Sequence, residues 1–201
     1  MITPPERSDA RDAAIEAMLP LAATHGWNRT TLRQAAGADA DLLFPGGSAD
    51  MVEAYIDWMD RRMVAAAAAV IGNQRLSQRV RTLIATRLDQ ARPHRGAVRR
   101  AISLLASPGH ALLSARCTAR TVDAIWHAAG DTSADFSWYT KRAILAGVYS
   151  STLLYWLNDS TTEEAALAFL DRRLAGVARI GKLRARLTPK HSPERPRNQA
   201  A

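Results

Sequence analysis

The sequence holds one cysteine in 201 residues, Cys117. It therefore has no intramolecular disulfide and no cysteine-rich metal site, which fits a reducing compartment. Cys117 reads as a small apolar core residue. The longest unbroken apolar run, Met63 to Ile71, falls far short of the roughly 20 residues a membrane span needs. The opening MITPPERSDARD has no apolar segment of the secretory kind, so an intracellular chain is expected. No stretch alternates apolar and polar residues between hairpin turns, which excludes a strand-based fold. Also missing are a Gly-rich phosphate loop, a G-x-S-x-G turn, an H-E-x-x-H pair and a Glu-x-x-His ligand pair. The histidines at 25, 94, 110, 127 and 191 are scattered, and His127 beside Trp126 reads as structural or surface. Neither a catalytic centre nor a metal is expected.

Cations are absent from Ala38 to Asp60, where Asp39, Asp41, Asp50, Glu53, Asp57 and Asp60 lie. Residues 1–72 carry six Arg against ten acids, a net charge of −4. Residues 73–201 carry 21 Lys and Arg against nine acids, a net charge of +12. The overall +8 therefore belongs to the later two-thirds of the chain.

What is present is helical periodicity. Ile15, Met18, Leu19 and Ala22 share a face of a helix over 8–24, closed by Gly26, with Trp27 expected to fold back on it. A short helix over 30–36 ends at Gly37. After FPGGS a long helix over 49–71 is expected, capped by Ser48. Leu76, Val80, Leu83, Ile84 and Leu88 mark the next, ended by Pro93. Further helices are expected over 97–106 and 110–129. Thr161 and Glu164 read as a capping box for a last helix bearing Leu167, Leu170, Leu174 and Val177. The fold class predicted is all-α, with about eight or nine helices.

One segment, Asp131 to Leu157, is apolar nearly all the way round once its turn-forming Asp131, Thr132, Ser133 and Asp135 are passed. Asp135 reads as a helix cap rather than an acid catalyst. Such a helix is expected at the centre of the molecule or in the wall of a greasy cavity. Leu83, Leu104, Trp126, Tyr149, Leu153 and Trp156 are large apolar residues on helices that must pack together. By themselves they fit a solid core as well as a lipid pocket. Trp138, Leu145, Tyr149 and Trp156 fall near one stripe; Tyr139, Arg142 and Ala146 near another.

The order helix, Gly-aromatic, short helix, FPGG, long helix looks like the DNA-binding end of TetR-type repressors. Only Ala38 to Phe44 remain between Gly37 and Pro45, too few for a recognition helix. Six acids without a cation would repel phosphate. A degenerate helix-turn-helix over 1–72 is expected, with no nucleic-acid partner; the alternative is a TetR-type ligand-responsive regulator.

The string AIWHAAGDTSADFSWYTKRAILAGVYSSTLLYWLNDST, and within it the run from Asp131 to Arg142, closely resembles the coenzyme-Q-nine family of ubiquinone biosynthesis accessory proteins. The resemblance is strong over 97–186 and weaker before it. It implies a dimeric, non-enzymatic, TetR-like protein whose helical body over 73–187 holds an isoprenoid quinone precursor or phospholipid. That lipid would be presented to a ring hydroxylase at the membrane. The family's partner patch maps onto Asp135, Trp138, Tyr139 and Arg142, residue types that make interface hot spots. With the family, Leu83, Leu104, Trp126, Leu145, Tyr149, Leu153 and Trp156 are expected to line the lipid site, and the bound lipid stands in place of a cofactor. After Leu187 the tail TPKHSPERPRNQAA has three prolines and no apolar stripe, so it is expected to be disordered. Membrane contact would then rest on cations such as Arg172, Arg173 and Arg179 against an anionic surface. A bacterial, cytoplasmic protein peripheral to the inner membrane is expected.

Overall fold

The computed structural model describes residues 3–131, 137–158 and 160–187, with 137, 138 and 180–187 as backbone only. The described residues form eight α-helices and three short 3-10 segments, and no strand occurs among them. The helices are α1 (Asp9–His25), α2 (Arg29–Ala36), α3 (Ser48–Ile71), α4 (Leu76–Ala91), α5 (Arg95–Leu105), α6 (Ala111–Ala129), α7 (Ser137–Trp156) and α8 (Glu163–Leu187). The all-α expectation holds. The 188–201 tail lies outside the described residues.

Local chemistry sets the boundaries. Ser8 Oγ accepts the Arg11 amide at 3.2 Å to start α1. Gly26, at φ 82°, stops it. Asn28 caps α2 through the Thr31 amide at 3.0 Å. Two expected caps are displaced. Ser48 is already the first residue of α3, whose cap is Gly47 at φ 65° with no side-chain hydrogen bond. Thr162, not Thr161, begins α8: its hydroxyl accepts the Ala165 amide at 3.2 Å. In both cases a neighbouring hydroxyl or glycine meets the geometric need one residue away, and spacing alone does not separate the two.

The centre of the molecule is α3, which packs against α1, α4, α5 and α6. Its buried face includes Met51, Tyr55, Met59, Met63 and Ala67. Residues 1–72 and the later body thus share one core rather than meeting at a seam, since α1 also packs on α5. Trp27, buried in the same core as Met18, Leu19 and Ala22 of α1, also reaches α5 and α3. Its Nε1 donates to the Ala97 carbonyl at 2.9 Å and its ring lies 4.9 Å from that of Tyr55. Gly96 permits the close approach of α5 to α1, where a Cβ would stand 2.9 Å from Ala23 Cβ.

The segment expected at the centre proves peripheral. α7 packs on α6, α8 and part of α4. It buries Leu145, Val148, Tyr149, Thr152 and Trp156, while Tyr139, Ala143, Ile144, Gly147, Leu154 and Tyr155 lie open. An apolar circumference requires cover on every side, but composition does not say whether the same chain supplies it.

Candidate docking face and buried polar site

Two features of α7 stand out: its outward face and what it buries. Running outward at steps of four, four and seven residues are Tyr139 (71% exposed), Ala143, Gly147 and Leu154 (59% exposed). Bulky ends flank a small-residue middle, and a Cβ on Gly147 would meet nothing within 4 Å. Polar contacts hold the two ends of the helix. Arg142 Nε donates to Asp123 Oδ1 on α6 at 2.8 Å, and Lys141 Nζ to Asp131 Oδ1 at 3.2 Å. At the far end Arg95 and Arg99 of α5 donate to the carbonyls of Trp156, Asn158 and Leu157, satisfying acceptors that every helix end leaves open. Of the expected partner patch, Tyr139 is therefore presented outward, while Arg142 reaches α6. Asp135 and the side chain of Trp138 lie outside the described residues.

The residues expected around a lipid divide by depth. Leu83 of α4 and Leu145, Tyr149 and Trp156 of α7 are buried. Leu104, Trp126 and Leu153 are half-buried against the same core. A concavity of about 60 Å³ lies between α4 and α8, lined by Ala85, Leu88, Trp156, Ala166 and Leu167 among others. Trp156 alone of the seven borders it, and its volume is well below the several hundred Å³ of an occupied small-molecule pocket. A larger groove of about 490 Å³ has a floor of Ala10, Ala13, Ala14, Ala17, Ala36 and Ala40 on α1, α2 and the 3-10 turn that follows. None of the seven lines it.

Behind α7 lies a polar cluster that the apolar reading passed over. Asp60 of α3, Arg87 of α4, Thr121 of α6 and Tyr149 of α7 are all buried, beside buried Tyr55. Arg87 Nε donates to the Tyr149 hydroxyl at 3.2 Å, and Thr121 Oγ1 donates to Asp60 Oδ2 at 2.8 Å. Arg87 Nε also stands 3.2 Å from Asp60 Oδ1, yet that oxygen accepts no hydrogen bond and Arg87 Nη1 donates none. The ion pair is thus close but imperfectly satisfied. Burial pushes the Asp60 carboxyl up to about 6, against the pull of Arg87. Burial works against charge on Arg87, but Asp60 and the two tyrosines outweigh it and raise its pKa. Burial likewise raises Tyr149. A signal existed in the sequence: Arg87 occupies a core position of its stripe, between Leu83, Ile84 and Ala91, and Asp60 lies four residues from Ile56 and three from Met63.

The N-terminal region is arranged as internal ion pairs. After α2 comes a 3-10 segment, Ala38–Leu43, in place of a recognition helix. Arg33 Nε donates to Asp41 at 2.9 Å, and Arg29 pairs with the same carboxylate at 3.4 Å. Asp50 takes Arg11, Glu53 takes Arg116 and Arg120, and Asp57 takes Arg7 and Arg61. Five of the six acids expected to repel phosphate, Asp60 included, are therefore spent on arginines of the same chain. They act as structural counter-ions more than as an exterior negative field. Among the described residues no group of His, Cys, Asp and Glu could hold a metal, and no helix is long and apolar enough to cross a membrane.

Residues 111–181 match the COQ9 family model, which covers α6, α7 and most of α8. The chain is 38% identical over 109 residues to the mitochondrial ubiquinone biosynthesis protein COQ9 of Rattus norvegicus, and 36% over 109 residues to that of Homo sapiens. Each alignment spans 54% of this chain and about a third of the relative, 35% and 34%. The Bos taurus protein of the same name is 28% identical over 83% of this chain and 57% of its own length. The chain thus spans a third to just over half of these relatives. A TetR transcriptional regulator from Nitrosomonas europaea ATCC 19718 superposes with a TM-score of 0.68 at 23% identity, covering 85% of this chain and 99% of that one. The likeness establishes a TetR-like fold.

Proposed function

The chain carries the COQ9 family segment over its α6–α8 region, and from that we propose that it is a non-enzymatic accessory protein of ubiquinone biosynthesis. It binds an isoprenoid quinone precursor, with phospholipid as the other lipid candidate, and presents it to a ring hydroxylase. The observation that carries this reading is α7: the helix in the middle of the family match turns an apolar face outward with Tyr139 at its head. An exposed aromatic on a folded helix, tied to α6 by the part-buried Arg142–Asp123 pair, offers contact area at little entropic cost.

The same reading makes the protein a homodimer, peripheral to the cytoplasmic side of the inner membrane. Support for an anionic surface comes from α8, where Arg172 and Arg173 lie 5.8 and 5.1 Å from the Phe169 ring, itself stacked at 4.5 Å on Tyr155. Near anionic lipid each such cation contributes about 1 kcal/mol. Asp135, Trp138, Tyr139 and Arg142 are proposed as the hydroxylase-binding patch, and Leu83, Leu104, Trp126, Leu145, Tyr149, Leu153 and Trp156 as the lipid-binding set. Nucleic acid is not a proposed partner.

The test is capture of the hydroxylase by the purified protein and by Tyr139→Ala. Wild-type protein is expected to retain the enzyme and the variant to lose it by roughly tenfold or more, as for a hot spot. Equal retention by the two would remove α7 as the docking face.

A further inference from the structure

The buried cluster behind α7 has spare hydrogen-bonding capacity, and that capacity has a definite chemical character. Arg87 Nη1 is a buried donor without an acceptor. Tyr149 receives the Arg87 Nε hydrogen at its oxygen, so its own proton can be given to an acceptor. Asp60 Oδ1 is a buried oxygen without a donor. A folded core rarely leaves a donor and an acceptor of this kind side by side, because each keeps the cost of lost hydration without a compensating bond.

The residues come from four helices: Asp60 and Tyr55 from α3, Arg87 from α4, Thr121 from α6 and Tyr149 from α7. A further buried donor without an acceptor, Trp126 Nε1, sits on α6. The cluster's formal charges, Asp60 and Arg87, cancel. A ligand bearing a phosphate or carboxylate would bring an uncompensated charge into this interior, which is strongly disfavoured. A neutral oxygen suffers no such penalty. A carbonyl oxygen accepts from both Arg87 Nη1 and the Tyr149 hydroxyl, and a phenolic hydroxyl can in addition donate to Asp60 Oδ1.

Resting on the lipid-binding reading above, we propose that Arg87, Tyr149 and Asp60 form a head-group site for a neutral ring carrying carbonyl or phenolic oxygens. The apolar residues Leu83 and Leu145 flank the cluster on the same two helices, α4 and α7. The concavity between α4 and α8 does not include these three residues, so admitting a ring requires α7 to part from α4. α7 is the helix suited to this, since its outer face is uncovered and its removal leaves the α1–α3–α4–α6 packing in place.

The experiment compares three ligands by isothermal titration calorimetry on the full chain: ubiquinone-2, geranylbenzene (a ring and tail without oxygens) and geranyl diphosphate. The wild type is expected to bind the quinone roughly tenfold tighter than either of the others, the discrimination of one well-placed hydrogen bond. A double variant, Arg87→Met with Asp60→Leu, replaces the ion pair by apolar side chains of similar size, an exchange that cores tolerate. It is expected to bind geranylbenzene as before and to lose the preference for quinone. Tyr149→Phe, which keeps the ring and removes the donor, is expected to lose part of that preference and serves if the double variant does not fold. A quinone preference unchanged in both variants would overturn the head-group site. So would wild-type protein that binds geranylbenzene as tightly as ubiquinone-2, or that prefers the diphosphate; either result leaves the lipid-binding reading standing. Wild-type protein that binds none of the three would overturn the lipid-binding reading itself.

Discussion

Arg87 of α4 donates through Nε to the hydroxyl of Tyr149 on α7 at 3.2 Å, a buried bond spanning 62 residues of sequence. It ties the middle helix of the COQ9 match to the interior of the body. The bond involves a charged donor, so removing its acceptor leaves a buried guanidinium poorly satisfied. Tyr149→Phe is expected to destabilise the protein by about 1–3 kcal/mol. Leu154→Ala, on the open face of the same helix, is expected to change stability by less than about 0.5 kcal/mol. Urea denaturation of the three proteins checks the contrast.

The same cluster makes stability depend on pH in an unusual direction. Burial raises Asp60 from 3.8 to about 6, so the folded protein holds this proton more tightly than the unfolded chain does. The contribution is present in full below about pH 4 and is lost as pH rises through 6, some 3 kcal/mol by linkage. Asp57 has the opposite sign: Arg7 and Arg61 outweigh its burial and lower its pKa, so its contribution is present above 3.8 and lost on acidification. The difference in unfolding free energy between wild type and Asp60→Asn isolates the first effect. It is expected to grow in favour of wild type as pH falls from 7.5 to 4.5.

Helix packing in the first half of the chain offers a steric test. A methyl on Gly96 would stand 2.9 Å from Ala23 Cβ and 3.3 Å from Ala23 Cα, so α5 must shift away from α1. Gly96→Ala is expected to cost about 1–3 kcal/mol, as overpacked cores do. Thermal unfolding followed by circular dichroism checks it. An unchanged melting temperature would show that the α1–α5 contact relaxes freely.

The paired arginines bear on nucleic acid. Asp41→Asn weakens the hold on Arg29 and Arg33, which Asp41 now pairs at 3.4 and 2.9 Å. Freed cations alone do not make a reader of sequence, because the segment between α2 and α3, Ala38–Leu43, is a 3-10 turn and not a recognition helix that could enter a groove. Neither wild type nor variant is expected to bind duplex DNA in a salt-dependent manner, measured by fluorescence anisotropy between 50 and 200 mM salt. Binding by wild type would favour the regulator reading.

Much of the fold was legible in the sequence because helix stops are chemical. Gly26, Gly37, Gly72, Pro93 and Gly130 each fall at or just past a helix end, where periodicity places them. The position of α7 was not legible. Tyr139, Ile144 and Leu154 are as apolar as Leu145 and Val148, and hydrophobicity does not distinguish a face covered by the same chain from one left for a partner. Tyr139, given by resemblance to a family, is presented outward, whereas Asp60 and Arg87 were overlooked because charged residues are ordinarily assigned to a solvated face. Their spacing within the apolar stripes of α3 and α4 was the available sign. The N-terminal acids were read by charge alone. Their partners, such as Arg116 and Arg120 for Glu53, come from a helix more than 60 residues away, which no local pattern shows.

The proposed function requires the protein to carry an isoprenoid lipid. Native mass spectrometry of the purified full chain, followed by extraction and identification of what is bound, tests it most directly. A quinone precursor or another isoprenoid is expected at close to one molecule per subunit. Protein that is empty as purified, and remains empty after incubation with a ubiquinone analogue, would contradict it.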